Sequence, residues 1–191
     1  MPREDWEANT IENIFRPRGL YPRERISTVL DVGCGLSLKS QFIEADIRVG
    51  LDAHRPYLQK IDAKVPYVCI SADALQLERL FLPRSFDLVL LLDIVEHLDK
   101  PDALELMRQA EIVARRAVVI ETPKGFLPQN IDILGLGGDH FQTHRCGFET
   151  AELEARGYDV VVRPYTLSQV KRHTTETSPA SIDMIDAIKR F

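Results

Sequence analysis

A chain of 191 residues, 45% of them hydrophobic, is long enough to bury a sizeable core in one domain, and its formal net charge of −5 argues against a broad nucleic-acid footprint. Three cysteines, Cys34, Cys69 and Cys146, lack metal-type spacing and fit a reducing compartment, while the start, Met1-Pro-Arg-Glu-Asp-Trp6, has no apolar stretch of the kind a signal peptide needs. The longest apolar run, Leu88 to Val95, is interrupted by Asp93 and too short to span a bilayer, so a cytoplasmic protein without a membrane partner is expected.

Residues 3–16 place Trp6, Ile11, Ile14 and Phe15 at helical spacing, which predicts an amphipathic helix ahead of the main fold. Arg16-Pro-Arg-Gly-Leu-Tyr-Pro22 is a turn-rich linker. A first strand is predicted at about 28–33, with a helix over about 37–44 after it. A second strand (about 46–51) leads to a helix over about 55–63, opened by Pro56. A third strand (about 66–71) precedes a short helix around 74–81 that stops before Pro83. The fourth, Phe86 to Leu92, is nearly continuous in apolar residues, as suits a parallel strand buried on both faces. Pro101 opens a helix over about 101–114, and Ala117 to Ile120 is a fifth strand. The connection 121–147, with five glycines and two prolines, is long enough to be functional. A helix over 148–156 stops at Gly157, a strand follows at 158–163, a polar excursion occupies 166–180, and a final helix is expected over 182–191. No seventh strand is evident. The alternation predicts an α/β protein with a doubly wound, mainly parallel sheet and helices on both faces. One domain over 1–191 is expected, with an N-terminal extension at 1–25 and a C-terminal one at 166–191.

Functional signals gather at the strand ends. Asp31-Val-Gly33-Cys34-Gly35 follows the first strand, and glycine there permits a tight turn and close approach of a ligand. Asp52 closes the second apolar run, and Asp73, between Ala72 and Ala74, follows the third. The C-terminal edge of an open α/β sheet is where ligands bind, and three carboxylates there suit a ligand carrying an ammonium, a ribose diol and an exocyclic amine. Each acid also has a plainer reading, as an ordinary cap before a helix.

In combination these motifs resemble the class I S-adenosylmethionine-dependent methyltransferases, in their broad type 11 and type 23-like group. That family's acid-X-Gly-X-Gly-X-Gly is matched by Asp31, Gly33 and Gly35, with Ser37 in place of the last glycine. Phe86-Asp-Leu-Val-Leu-Leu-Leu-Asp93-Ile-Val-Glu96-His97 matches the family's fourth strand and the turn after it, and the resemblance covers roughly residues 26–165. It implies a Rossmann-like methyltransferase fold with S-adenosylmethionine as cofactor. By the same resemblance Asp31 and Gly33-Cys34-Gly35 hold the methionine end, Asp52 the ribose, Asp73 with Ala72 and Ala74 the adenine, and Leu92 and Asp93 line the transfer site. A nicotinamide-binding Rossmann domain wants Gly-X-Gly-X-X-Gly; the third glycine position here is Leu38, and that fingerprint has no role for Asp31 or Asp73.

For the acceptor the expectation is a small or medium-sized molecule. His97, His140 and Asp93 are the candidate catalytic residues, a histidine being suited to accept a proton near neutral pH. An alternative is metal-assisted: Asp93-X-X-Glu96-His97 with a later histidine, His140 or His144, resembles the metal-dependent small-RNA 2′-O-methyltransferases, where carboxylate and imidazole together bind a divalent cation. A third is a protein that binds the cofactor without turnover.

Overall fold

The computed structural model describes residues 11–37, 39–166 and 181–191. Seven strands form one sheet: β1 (Thr28–Val32), β2 (Ile47–Asp52), β3 (Val68–Ser71), β4 (Phe86–Leu92), β5 (Ala114–Pro123), β6 (Asp159–Thr166) and β7 (Ser181–Arg190). Their order across the sheet is β3-β2-β1-β4-β5-β7-β6, with β1 to β5 parallel and β7 antiparallel to both β5 and β6. Helices α1 (Ile11–Phe15), α2 (Arg55–Leu58), α3 (Leu77–Leu80), α4 (Lys100–Val113), α5 (Asp139–Gln142) and α6 (Thr150–Glu154) complete the regular structure.

The period-two alternation of strands explains why β4 is apolar throughout. Val89 and Leu91 face one core, together with Leu30, Val32, Val118 and Ile120, against Ala103, Leu106, Met107, Ala110 and Val113 of α4. Leu88, Leu90 and Leu92 face a second core with Val29, Ala117 and Val119, covered by Ile11, Ile14 and Phe15 of α1. The doubly wound architecture expected from the sequence is therefore present, and α1 acts as a cover for one face.

Several expectations are corrected. The final helix over 182–191 is instead β7, inserted between β5 and β6 and buried from Met184 to Ile188. The spacing of Ile182, Ile185 and Ile188 imitates a helix, but these β-branched side chains sit in a strand covered on both faces. The helix over 37–44 reduces to one 3-10 turn, Ser40–Phe42, so no long helix aims its N-terminus at the glycine turn. The helix after β2 spans only Arg55–Leu58, and β5 extends well beyond 117–120 at both ends. Trp6, Leu38 and the polar excursion over 167–180 lie outside the described residues. Among the described residues, no helix is long and apolar enough to cross a membrane.

Candidate active site

β1 delivers the chain into Gly33 (φ +68°), Cys34 and Gly35 (φ +50°). Both φ values lie in the left-handed region that glycine enters at no steric cost. The N–H groups of Gly33 and Cys34 donate to the Leu51 carbonyl at 2.7 and 3.1 Å, which ties the turn to the end of β2. Ser37, in the position of the third glycine, keeps φ +55° and is buried. The backbone thus holds the glycine-type conformation there at a strain of about 1–2 kcal/mol.

The three predicted acids are held in different ways. Asp31 is buried and accepts from the Ser40 hydroxyl at 2.5 Å and the Tyr67 hydroxyl at 3.1 Å. Burial pushes its carboxyl up to about 6, against the pull of those two hydroxyls. Asp52 accepts from the Gly35 N–H at 2.9 Å and from the His54 N–H at 2.7 Å, and burial raises it as well. Asp73 caps the 3-10 turn Ala74–Gln76 by accepting from Leu75 N–H at 2.9 Å. Beyond this cap it also lines a cavity.

Two cavities meet above the turn. One, about 400 Å³, is lined by Asp52, Asp73, Ala74, Tyr57, His140 and Phe141 among others. The second, about 330 Å³, is lined by Asp31, Cys34, Gly35, Leu92, Glu96 and His144 among others. Gly33, Asp93, His97 and Gln142 belong to both. The 121–147 connection roofs them, and Asp132 organises it by accepting from the N–H groups of Leu134, Leu136 and Gly138 at 2.8, 2.7 and 2.9 Å. His54 Nε2–H donates to the Leu136 carbonyl at 2.9 Å and so fastens the roof to the edge of α2. Of the predicted cofactor residues, Ala72 alone lines neither cavity; it packs against the core, as Ala74 also does.

Asp93 sits at the junction with φ +52°, a strained value for a residue with a Cβ, and its N–H donates to the Glu121 carbonyl at 2.9 Å. The Lys39 ammonium pairs with the Asp93 carboxylate at 2.8 Å and with Glu121. Burial alone would lower Lys39, but the two carboxylates raise it. Arg163 of β6 continues the network to Glu121 at 2.8 Å and to Asp186 of β7 at 2.6 Å.

Beside that network, one ring nitrogen each of His97 and His144 and a carboxylate oxygen of Glu96 lie within 4.8 Å of one another. The two rings meet edge to face with centroids 4.8 Å apart. Burial, then Asp93, pushes the Glu96 carboxyl well above the usual carboxylate range. Burial and the neighbouring His144 push His97 down to about 4, and burial lowers His144. Asp93, expected as a fourth ligand of a metal set, is engaged by Lys39 instead. His140 is exposed, lies in the wall of the larger cavity, and approaches Arg145 rather than His97.

Residues 30–118 match the family model described as a methyltransferase domain. The whole fold superposes on a S-adenosylmethionine-dependent methyltransferase from Archaeoglobus fulgidus (TM-score 0.62, 19% identity, 99% of this chain and 94% of that one). The chain has the Rossmann-like methyltransferase fold. Two further methyltransferase structures share the fold. One is magnesium protoporphyrin IX methyltransferase from Synechocystis PCC 6803 with bound S-adenosylmethionine (TM-score 0.57, 15% identity, 98% and 79% covered). The other is the 1,6-didemethyltoxoflavin N1-methyltransferase of Burkholderia thailandensis with its acceptor and S-adenosylhomocysteine bound (TM-score 0.59, 16% identity, 98% and 77% covered). No curated protein matches the sequence.

Around these cavities, sequence reasoning missed Lys39, Glu121, Tyr165 and Met184, which line the smaller one, and Arg163, which pairs with Glu121. The rule that found Asp52 and Asp73, an acid directly after an apolar strand, also picks out Glu121 after Ala117–Ile120. Lys39 and Arg163 carry no such signal, because their partners are distant in the chain.

Proposed function

We propose that the chain transfers a methyl group from S-adenosylmethionine to a small or medium-sized acceptor in the cytoplasm. The observation that carries this reading is the pair of adjoining cavities around Gly33 and Asp93, one edged by Asp52 and Asp73 and the other by Leu92, Glu96 and His97. The donor set fits the cofactor. Asp52 keeps lone pairs for a ribose diol, and Asp73 has an oxygen beyond the one bonded to Leu75 N–H for an exocyclic amine, with Ala74 beside it. The left-handed turn at Gly33-Cys34-Gly35 leaves the backbone open above Gly35, where an added Cβ would have only Leu134 Cδ1 at 3.8 Å, and Asp31 stands behind it for the methionine end. The bound cofactor supplies a methyl group on a sulfonium. The protein's part is to hold the acceptor in line beside Leu92 and Asp93, to exclude water under the 121–147 roof, and to accept a proton where the acceptor is a hydroxyl. His97, which lines both cavities and is kept neutral by burial, is the candidate for that task, with His140 in the wall of the larger one as the alternative. Cysteines that are all free support the cytoplasmic assignment.

Calorimetric titration with S-adenosylmethionine, with NAD as the parallel control, tests the reading. Saturable binding of the first alone supports it, and binding of NAD alone refutes it. Binding without transfer to any acceptor in cell extracts would favour a non-catalytic cofactor-binding protein.

The convergence of Glu96, His97 and His144 within 4.8 Å favours a second reading, in which a divalent cation held there assists methylation of an RNA 2′-hydroxyl. Titration with Mg²⁺, Mn²⁺ and Zn²⁺ tests it directly. The acidic net charge of −5 argues against the RNA part.

A further inference from the structure

The 121–147 roof is fixed at its feet. There the Gly125 N–H donates to the Phe148 carbonyl at 2.8 Å, and the Arg145 and Cys146 N–H groups donate to the Glu96 carbonyl at 2.8 and 3.2 Å. Its far end, residues 132–139, is a unit bonded within itself. Besides the three N–H groups that the Asp132 carboxylate accepts, the Asp132 N–H donates to the Asp139 carboxylate at 2.6 Å, and the Gly135 N–H donates to the Asp132 carbonyl at 3.1 Å. From this unit Leu134 reaches over Gly35 and, with Ile133, lines the smaller cavity. His140, Phe141 and Gln142, which follow it, line the larger one. The position of the far end therefore sets how far both cavities are covered.

That end meets the rest of the protein at the start of α2. The His54 ring donates from Nε2 to the Leu136 carbonyl at 2.9 Å, packs edge to face on Tyr57 with centroids 4.4 Å apart, and lies 5.4 Å from the Phe141 ring. Tyr57 brings its hydroxyl beside Asp132 and Gly138. The approach is close: a Cβ on Gly138 would lie 2.0 Å from Tyr57 Oη and 3.3 Å from His54 Cδ2. Gly138 has an ordinary φ of −96°, so it is this contact that calls for glycine. His54 precedes the first turn of α2, yet its side chain caps no N–H of that helix. The ring is committed to the roof, while the His54 backbone N–H is committed to the Asp52 carboxylate at 2.7 Å.

Resting on the cofactor reading above, we propose that His54 is a positioning residue that couples occupancy of Asp52 to closure of the roof. Its main chain steadies the acid assigned to the ribose, and its ring holds the far end of the roof down over the Gly33-Cys34-Gly35 turn. Release of the Leu136 carbonyl lets the 132–139 unit swing on its feet, and the cofactor enters and leaves through that opening. A ligand shifts such an equilibrium only through contacts that differ between the two states. Here the difference is the hydrogen bond from His54, made when the roof lies closed over a ribose on Asp52. His54 touches no reacting atom; it acts through Asp52 and Leu136.

The test uses the full chain and tritiated S-adenosylhomocysteine, whose dissociation is followed after a chase of unlabelled ligand. His54→Phe keeps a ring against Tyr57 and Phe141 but loses the N–H, and the ligand should leave about fivefold faster, the value of one hydrogen bond. His54→Gln restores an amide N–H at similar reach and should bring the rate back to within about twofold of the parent, a rescue that packing alone does not give. Gly138→Ala disturbs the same contact from the roof side and should also speed dissociation, so the proposal stays testable if His54→Phe folds poorly. Without ligand, chymotrypsin should cut after Leu134 and Leu136 faster in His54→Phe than in the parent or His54→Gln. Dissociation unchanged in His54→Phe and Gly138→Ala, or raised equally in His54→Gln, overturns the proposal, and so does equal cleavage in all the variants. If the parent fails to bind S-adenosylhomocysteine, the cofactor assignment falls instead, and the cleavage rates alone decide whether His54 holds the roof.

Discussion

Alanine at Gly33 is the sharpest test of how the glycine turn is built. An added Cβ would lie 2.4 Å from Ile94 Cδ1, 2.9 Å from Cγ1 and 3.0 Å from Cβ, at φ +68°. A rotamer change of Ile94 relieves the first contact, but the contact with its Cβ requires the backbone after β4 to move. The left-handed conformation costs about 1–2 kcal/mol for a residue with a side chain, and overpacking of a buried site about 1–3 kcal/mol. Gly33→Ala is therefore expected to lose about 2–5 kcal/mol. Gly19 has the same φ of +68° with nothing within 4 Å, so Gly19→Ala should lose only the first part, about 1–2 kcal/mol. Urea denaturation of both variants, with the slope checked for constancy, measures the difference. In the Ile94→Ala background the contacts with Cδ1 and Cγ1 vanish and only the one with Cβ at 3.0 Å stays, so most of the steric part should be lost, a favourable coupling of about 1–2 kcal/mol between the two changes. A Gly33→Ala loss no larger than that of Gly19→Ala would refute the argument that Ile94 sets the turn.

Three further outcomes are expected. Lys39→Met leaves Glu121 with Arg163, so its cost should stay below the roughly 3–5 kcal/mol of a fully stranded buried ion, and adding Arg163→Met should cost more than the sum of the single changes in a denaturation cycle. Asp31, held at about 6 when folded against an ordinary 3.8, binds more protons folded than unfolded between those values, so it withdraws stability as pH rises from about 4 to 6. The stability of Asp31→Asn relative to the parent should therefore climb through that window and level off above it; a fall would reverse the sign. Asp52→Asn removes a charged acceptor from the Gly35 and His54 N–H groups and from the ribose, and should weaken S-adenosylmethionine about tenfold or more by calorimetry; unchanged affinity would remove Asp52 from the site.

What was legible in the chain follows from which signals are local. Phe86–Leu92 reads as a central strand because covering both faces demands an unbroken apolar run, and Lys100–Val113 reads as a helix because Pro101 and a helical apolar stripe agree. Asp31, Asp52 and Asp73 were legible because each ends a strand, and a parallel sheet brings such ends to one edge. β7 was not legible, because Ile182, Ile185 and Ile188 satisfy a helical period while the neighbours that make them a strand, β5 and β6, are supplied by the fold. The helix over 37–44 failed for a local reason with a non-local cause: Ser37 takes a left-handed φ, and Ser40 is drawn to Asp31 nine residues back. The His97–His144 pairing joins two loops 47 positions apart and depends on the course of the 121–147 roof, which no periodicity encodes.

The sheet edge gathers seven acids, Asp31, Asp52, Asp73, Asp93, Glu96, Glu121 and Asp186, and the way each is satisfied divides the site. Asp52 and Asp73 are held by backbone N–H groups, and Asp31 by two hydroxyls. Neutral donors steady a carboxylate without cancelling its charge, so Asp52 and Asp73 still have acceptor capacity for hydroxyl and amine donors of a ligand. Asp93, Glu121 and Asp186 are instead bound by Lys39 and Arg163, and Glu96 sits against Thr122 in a setting that favours its neutral form. Three of these carboxylates share two cations inside the protein. On one side of the cleft the acids thus stay open to donors of a ligand, while on the other most are engaged by cations of the protein itself. This asymmetry makes the two halves separable by experiment. Asp52→Asn should be felt in cofactor affinity with little loss of stability, whereas Glu121→Gln leaves Lys39 and Arg163 short of a partner and should be felt first in the fold.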